Sequence, residues 1–138
     1  MNVNPYLSFS GNCADAIKLY EEAFGAKAKI MKYGEAPKEE DYTVSEETKD
    51  LIMHAQLSFG DGTLMFADNP PGMPVSFGDA VSITISFADE EQAKSAFAVL
   101  KEGGKVHMDL RKTFWSACFG MLEDKFGINW MFTLEKKE

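Results

Sequence analysis

Histidine, tryptophan and cysteine each occur only twice among 138 residues, and 14 lysines and arginines stand against 22 acidic side chains. Each shortage removes a class of function. Cys13, at a predicted helix start, and Cys118, inside a predicted strand, form neither a CxxC pair nor a zinc spacing, so free thiols are expected rather than a disulfide framework. A net charge of -8 leaves no basic footprint for the counterion release on which nucleic acids and anionic membranes depend. Cationic or neutral small molecules suit this chain better. No apolar run approaches the roughly 18 residues that cross a bilayer, and Met1-Asn2-Val3-Asn4-Pro5 lacks the basic-then-apolar start of a secretory signal. A soluble, cytoplasmic protein is expected, with neither nucleic acid nor membrane as a partner.

What is present is a repeat. Phe9-Ser10 followed by GNCADAIKLYEEAFG is echoed by Phe87-Ala88 followed by DEEQAKSAFAVLKEGG, and HAQLSFGDGTLMF by SACFGMLEDKFGINWMF. Two copies of one unit make up the chain, and such self-similarity decides architecture before local propensities do. On this alignment Phe9 matches Phe87, His54 matches Ser116 and Gly62 matches Gly127. With 45% apolar and 12% aromatic residues there is ample material for one core.

The first copy reads as a strand at Tyr6 to Phe9, then a helix capped by Asn12 or Asp15. That helix buries Ala16, Leu19, Tyr20, Ala23 and Phe24 and stops at Gly25. Lys27 to Tyr33 follows as a strand, residues 35 to 50 as an acidic solvated loop, and Ile52 to Phe59 and Thr63 to Ala67 as a hairpin around Gly60-Asp61-Gly62. Residues 68 to 79, with three prolines and two glycines, form a connector. The second copy reads as a strand at Val81 to Phe87 and a helix at Glu90 to Lys101 burying Ala93, Ala96, Phe97 and Leu100. Strands at Lys105 to Leu110, Phe114 to Leu122 and Ile128 to Thr133 complete it.

One helix covers one face of a sheet, so strand alternation assigns the faces. Leu7, Phe9, Met53, Ala55, Leu57, Phe59, Val81, Ile83, Ile85 and Phe87 should meet the helices, with Trp115, Trp130 and Phe132. Tyr6, Ser8, His54, Gln56, Ser58, Ser82, Thr84 and Ser86 should point the other way, with Phe66 and Met131 supplying an apolar interior. If the copies lie edge to edge and curl, those groups line a trough that suits a small organic ligand, with Ser116 and Cys118 of the second copy opposite His54 and Gln56. The alternative is a half-exposed sheet whose polar face meets only water.

Two tandem units of strand, helix and three strands resemble the vicinal oxygen chelate superfamily of glyoxalases, extradiol dioxygenases and bleomycin-binding proteins. The segments YLSFSGNCADAIKLYEEAFG, IMHAQLSFGDGTLMFAD and TFWSACFGMLEDKFGINWMF are similar to its PhnB-like branch, over nearly the whole chain. The resemblance implies an α+β fold: one glyoxalase-like domain, 1–138, built of βαβββ modules 1–70 and 79–138, a curved mixed sheet and helices on its convex face. It also implies four metal-ligand places on the first and last strands of the copies. Here they hold Asn4, Phe66, Ser82 and Met131, and none is His, Asp or Glu, so neither metal nor other cofactor is expected.

Of the remaining polar groups, His54 is the candidate proton acceptor or hydrogen-bond anchor. Its ordinary alternative is a partly buried histidine satisfied by a neighbour. Asp68 could reach the pocket rim and hold a cation, and Arg111 and Lys112 could guard an anion entrance, while His107 falls on a strand edge or loop. The expected function is binding of a small organic molecule near Tyr6, Ser8, His54, Gln56, Phe66, Ser82, Thr84, Ser116, Cys118 and Met131, in a homodimer joined through Trp115, Phe119 and Trp130. Two alternatives stay open. One is a metal-dependent lyase, isomerase or dioxygenase using other ligands, such as His54 with a partner-chain carboxylate, and the other a ligand-free assembly module.

Overall fold

The computed structural model describes residues 1–36 and 45–135, and it divides the chain into two units, Met1–Ser76 and Phe77–Glu138. Residues 37–44 of the acidic stretch lie outside the described residues. The first unit runs β1 (Tyr6–Phe9), α1 (Cys13–Phe24), β2 (Lys29–Lys32), a 3-10 turn (Tyr33–Glu35), β3 (Ile52–Phe59) and β4 (Gly62–Asp68). The second runs β5 (Ile83–Phe87), α2 (Glu90–Lys101), β6 (Lys105–Arg111), β7 (Cys118–Glu123) and β8 (Asn129–Leu134). Each unit holds one mixed four-stranded sheet, in the orders β1-β4-β3-β2 and β5-β8-β7-β6. The first strand of each unit runs parallel to the last, and the other pairs are antiparallel. The fold is therefore α+β, two tandem βαβββ modules.

The core of the first unit lies between α1 and one side of its sheet. Ala16, Ile17, Tyr20, Ala23 and Phe24 are buried against Leu7, Phe9, Ala55, Leu57, Leu64 and Phe66. The Tyr20 ring stacks on Phe66 with centroids 5.7 Å apart, and Phe24 on Phe59 at 4.4 Å. In the second unit Ala93, Ala96, Phe97 and Leu100 are buried together with Phe87, Leu122, Trp130 and Phe132. Phe132 meets Phe87 at 4.8 Å and Phe97 at 5.6 Å. Gly120 gives the helix room: a Cβ there would come within 2.9 Å of both Phe97 and Leu110.

Helix ends follow the sequence reading at Gly25 and Lys101 and depart from it at the start of α1. Gly25 takes the left-handed conformation at φ 65° and its N–H donates to the Glu21 carbonyl at 2.9 Å. Asp89 caps α2, accepting from the Glu91 N–H at 3.1 Å, and α2 ends at Lys101 as read. At the start of α1, however, neither Asn12 nor Asp15 serves, and Asn12 makes no side-chain cap bond. Asp68, at the end of β4, accepts there instead, from the Gly11 and Cys13 N–H groups at 2.9 and 3.0 Å.

Several strand readings need correction. The second strand is Lys29–Lys32, because Tyr33 already opens a 3-10 turn and buries its ring, its hydroxyl donating to the Asp68 carbonyl at 2.9 Å. Val81 precedes β5 and is exposed, and β7 starts only at Cys118. Residues 113–116 instead close a turn, with the Thr113 N–H on the Ser116 carbonyl at 3.0 Å. Trp115 therefore stands half exposed in that turn between Phe114 and Phe119, not under a helix. Trp130 is fully buried, its Nε1 donating to Asp124 at 2.8 Å, and is withdrawn from any contact surface.

Candidate functional site

The helix-free face of the first sheet follows from its ladder register. Residues directly opposite in neighbouring strands point to the same side, and Met65 lies between Tyr6 on β1 and Gln56 on β3. Gln56 also pairs with Lys29, and His54 with Met31, both on β2. Ser8 pairs with Ala67. Tyr6, Ser8, Lys29, Met31, His54, Gln56 and Met65 thus share the side turned away from α1. Tyr6 and Met31 are exposed, while His54, Gln56 and Met65 are half buried.

Three of these side chains are joined. Gln56 Nε2 lies 3.1 Å from His54 Nε2, and the Tyr6 hydroxyl lies 3.3 Å from His54 Nδ1. With the Gln56 amide nitrogen facing Nε2, the tautomer that satisfies both contacts carries its proton on Nδ1, directed at the Tyr6 oxygen. The Tyr6 O–H is then left as an unspent donor. Burial pushes the Tyr6 phenol above its ordinary value of 10.0, with the Cys13 sulfur adding to the shift, so it keeps its proton at neutral pH. The arrangement is a directed line of hydrogen bonds ending in a donor, beside the thioethers of Met65 and Met31. It can orient an acceptor oxygen of a ligand while those thioethers contact its apolar part. The parity of Met65 with Tyr6 is readable only once the β1–β4 register is known, and that of Lys29 and Met31 only from the β2–β3 register.

Phe66, expected on this face, points the other way. It pairs with Leu7 and Ala55 and stacks on Tyr20 of α1, so Met65 is the counterpart of Met131. Ser116 and Cys118 are likewise withdrawn. Ser116 is fully buried, its Oγ 2.8 Å from the Cys118 carbonyl and 2.9 Å from the Leu134 carbonyl, and it accepts from the Leu134 N–H at 3.1 Å. Cys118 pairs with Leu134 on the side of Gly120 and Leu122, under α2. Burial raises both thiols, Cys13 further pushed by the Asp68 carboxylate and Cys118 by Glu90 against an opposing effect of Lys94.

The helix-free face of the second sheet is made differently. Thr84, Met131 and Met121 form the row equivalent to Tyr6, Met65 and Gln56, and Phe119 takes the place of His54. Thr84 is exposed and Met131 half buried. Ser82 lies ahead of β5 in a depression that also includes His107 of β6. The histidine relay is thus confined to the first unit.

Asp68 is not a rim cation ligand. It is buried, and besides Gly11 and Cys13 its carboxylate accepts from the Ile52 N–H at 2.9 Å. With Met65 replacing Phe66, the superfamily's metal-ligand places hold an amide, a hydroxyl and two thioethers, a donor set unsuited to a divalent cation. Among the described residues no three His, Cys, Asp or Glu side chains come together as ligands, and no helix is long and apolar enough to cross a membrane.

Known proteins share this fold. The chain is 31% identical over its full length to protein YjdN of Escherichia coli (strain K12), covering 98% of that protein. It superposes on the crystal structure of protein PA1353 from Pseudomonas aeruginosa with a TM-score of 0.84 at 37% identity, over 99% of each chain. With a glyoxalase/bleomycin resistance protein from Albidiferax ferrireducens T118 it shares the fold, at a TM-score of 0.64 and 14% identity over 98% of this chain and 99% of the other. Residues 1–133 match the family model described as 3-demethylubiquinone-9 3-methyltransferase, and the chain belongs to that PhnB-like, glyoxalase-fold family.

Proposed function

We propose that the chain binds a small organic molecule without a metal, on the helix-free face of its first sheet, and that this is its role as a PhnB-like member of the superfamily. The observation that carries the reading is the line from Gln56 through His54 to Tyr6, at 3.1 and 3.3 Å. Both ring nitrogens are engaged, one as donor and one as acceptor, which holds the imidazole in one orientation on the open face with the Tyr6 hydroxyl at the exposed end of the line. The ligand is read as carrying an acceptor oxygen, for Tyr6, next to an apolar body that lies against Met65 and Met31. The methyl transfer in the family's description is no part of this reading, since membership of a fold does not carry an activity.

Native mass spectrometry of the purified protein, followed by thermal-shift screening of small carbonyl compounds and carboxylic acids, tests the proposal. A bound compound should lose about 1 to 3 kcal/mol of affinity in His54→Ala, the cost of leaving a hydrogen-bonded partner unsatisfied. Tyr6→Phe should lose a similar amount. A compound whose affinity is unchanged in both variants would place binding elsewhere, and tight stoichiometric metal lost in His54→Ala would favour the metal-dependent enzyme instead.

A further inference from the structure

The second unit contains a depression of about 260 Å³ with a lining unlike that of the first. It is lined by the polar residues Asp79, Ser82, His107 and Asn129 and by Met121, and bordered by Leu122 and Trp130, whose side chains are buried on the α2 side of the sheet. Its rim is fixed in place. The Asn129 Nδ2 donates to the Gly78 carbonyl at 2.8 Å, and the Phe77 ring lies so close to Gly127 that a Cβ there would sit 2.9 Å from it. These two contacts tie the connector that carries Asp79 to the β7–β8 hairpin.

The chemistry of the unspent groups selects the ligand. The Asn129 amide has used a donor on Gly78, which leaves its Oδ1 free to accept. Among the described residues no hydrogen bond occupies the Asp79 carboxylate, the Ser82 hydroxyl or the His107 ring. An ionised carboxylate only accepts, and Asp79 is the one Asp, Glu, Lys or Arg in the lining. The chain as a whole carries -8, a balance that favours association with cations over anions. We propose that this depression binds a small organic cation, a primary ammonium donating to Asp79 and to Asn129 Oδ1 with its alkyl part against Met121. Every residue of its lining belongs to the second unit.

Titration of the ¹⁵N-labelled protein at one fixed pH with n-butylammonium, 1-butanol and butyrate distinguishes the possibilities. The expected result is saturable shifting of the Asp79, Ser82, His107 and Asn129 amide signals by the ammonium, with about tenfold tighter binding than the alcohol, the scale of one charge-assisted hydrogen bond. Asp79→Asn should reduce the ammonium to the level of the alcohol, and His54→Ala should leave it unchanged. Asp79 is exposed, so Asp79→Asn is a surface change, and an unaltered amide spectrum elsewhere verifies its fold. Butyrate or butanol binding as tightly as the ammonium, undiminished binding in Asp79→Asn, or no saturable shift with any of the three would overturn the assignment.

Discussion

Removing the Asp68 carboxylate should be among the most damaging single changes in the first unit. Its two oxygens accept from three backbone N–H groups, those of Gly11, Cys13 and Ile52, and so join the β1–α1 turn, the first residue of α1 and the start of β3. Gly11 is exposed, so its N–H can turn to water when the carboxylate is gone. Cys13 and Ile52 are buried and cannot. A stranded buried donor costs roughly 1 to 3 kcal/mol, and partial relaxation of the turn sets the expected loss for Asp68→Ala at about 3 to 4 kcal/mol. Asp68→Asn should lose less, about 2 kcal/mol, because the amide oxygen can still serve two donors while its NH2 opposes the third. Urea unfolding followed by circular dichroism measures both, with the slope checked for constancy so that midpoints compare as free energies. If Asp68→Ala fell within about 0.5 kcal/mol of the parent, as an ordinary surface substitution does, the carboxylate would not be the clamp described.

The second unit has its own clamp, and Ser116→Ala should destabilise by about 1 to 3 kcal/mol while leaving any ligand of the first unit bound as tightly as before; unchanged stability with weakened binding would restore Ser116 to a pocket. Both thiols should resist alkylation by iodoacetamide in the folded protein and react on unfolding, as mass spectrometry reads directly. Their raised values also set a sign for pH: a thiol held protonated in the fold contributes stability that is complete below its ordinary value of 9.0 and declines as pH rises past it. Urea midpoints should therefore fall between about pH 9 and 10.5, and Cys13→Ser should reduce that decline; a midpoint that rises with pH over this interval contradicts the assignment.

The elements were legible because apolar periodicity records burial on one side. The buried residues of α2, Ala93, Ala96, Phe97 and Leu100, are those its spacing gives, and the limits of β3 are as read. Clamps were not legible. Asp68 acts on a backbone group 57 residues away in sequence and Ser116 on one 18 away, and a side chain that satisfies distant backbone groups leaves no trace in a local pattern. Asp124 is a third clamp, of the local kind. It accepts from the Phe126 and Ile128 N–H groups at 2.8 and 3.1 Å and from the Trp130 indole, shaping a hairpin loop that Gly60-Asp61 makes in two residues.

That difference in loops explains which site residues were misplaced. Matching Gly62 to Gly127 slips β4 against β8 by one residue, and matching His54 to Ser116 slips β3 against β7 by three. Both slips are odd, and an odd slip carries a side chain through the sheet. Phe66, Ser116 and Cys118 therefore went to the wrong face together. Correctly paired, the two copies differ mainly on one side. Under the helices Leu7 answers Ile85, Ala55 answers Gly120, Leu57 answers Leu122 and Phe66 answers Phe132, all apolar or small. On the open side Tyr6 answers Thr84, His54 answers Phe119 and Gln56 answers Met121. Packing limits the first set to side chains that fill the space between sheet and helix. Nothing in the fold requires an imidazole, an amide and a phenol in hydrogen-bonded succession on the second, because the other copy folds with a phenyl ring, a thioether and a hydroxyl there. The relay of the first unit is thus chemistry added to a scaffold that stands without it, which is why His54→Ala is expected to change binding and leave the fold intact.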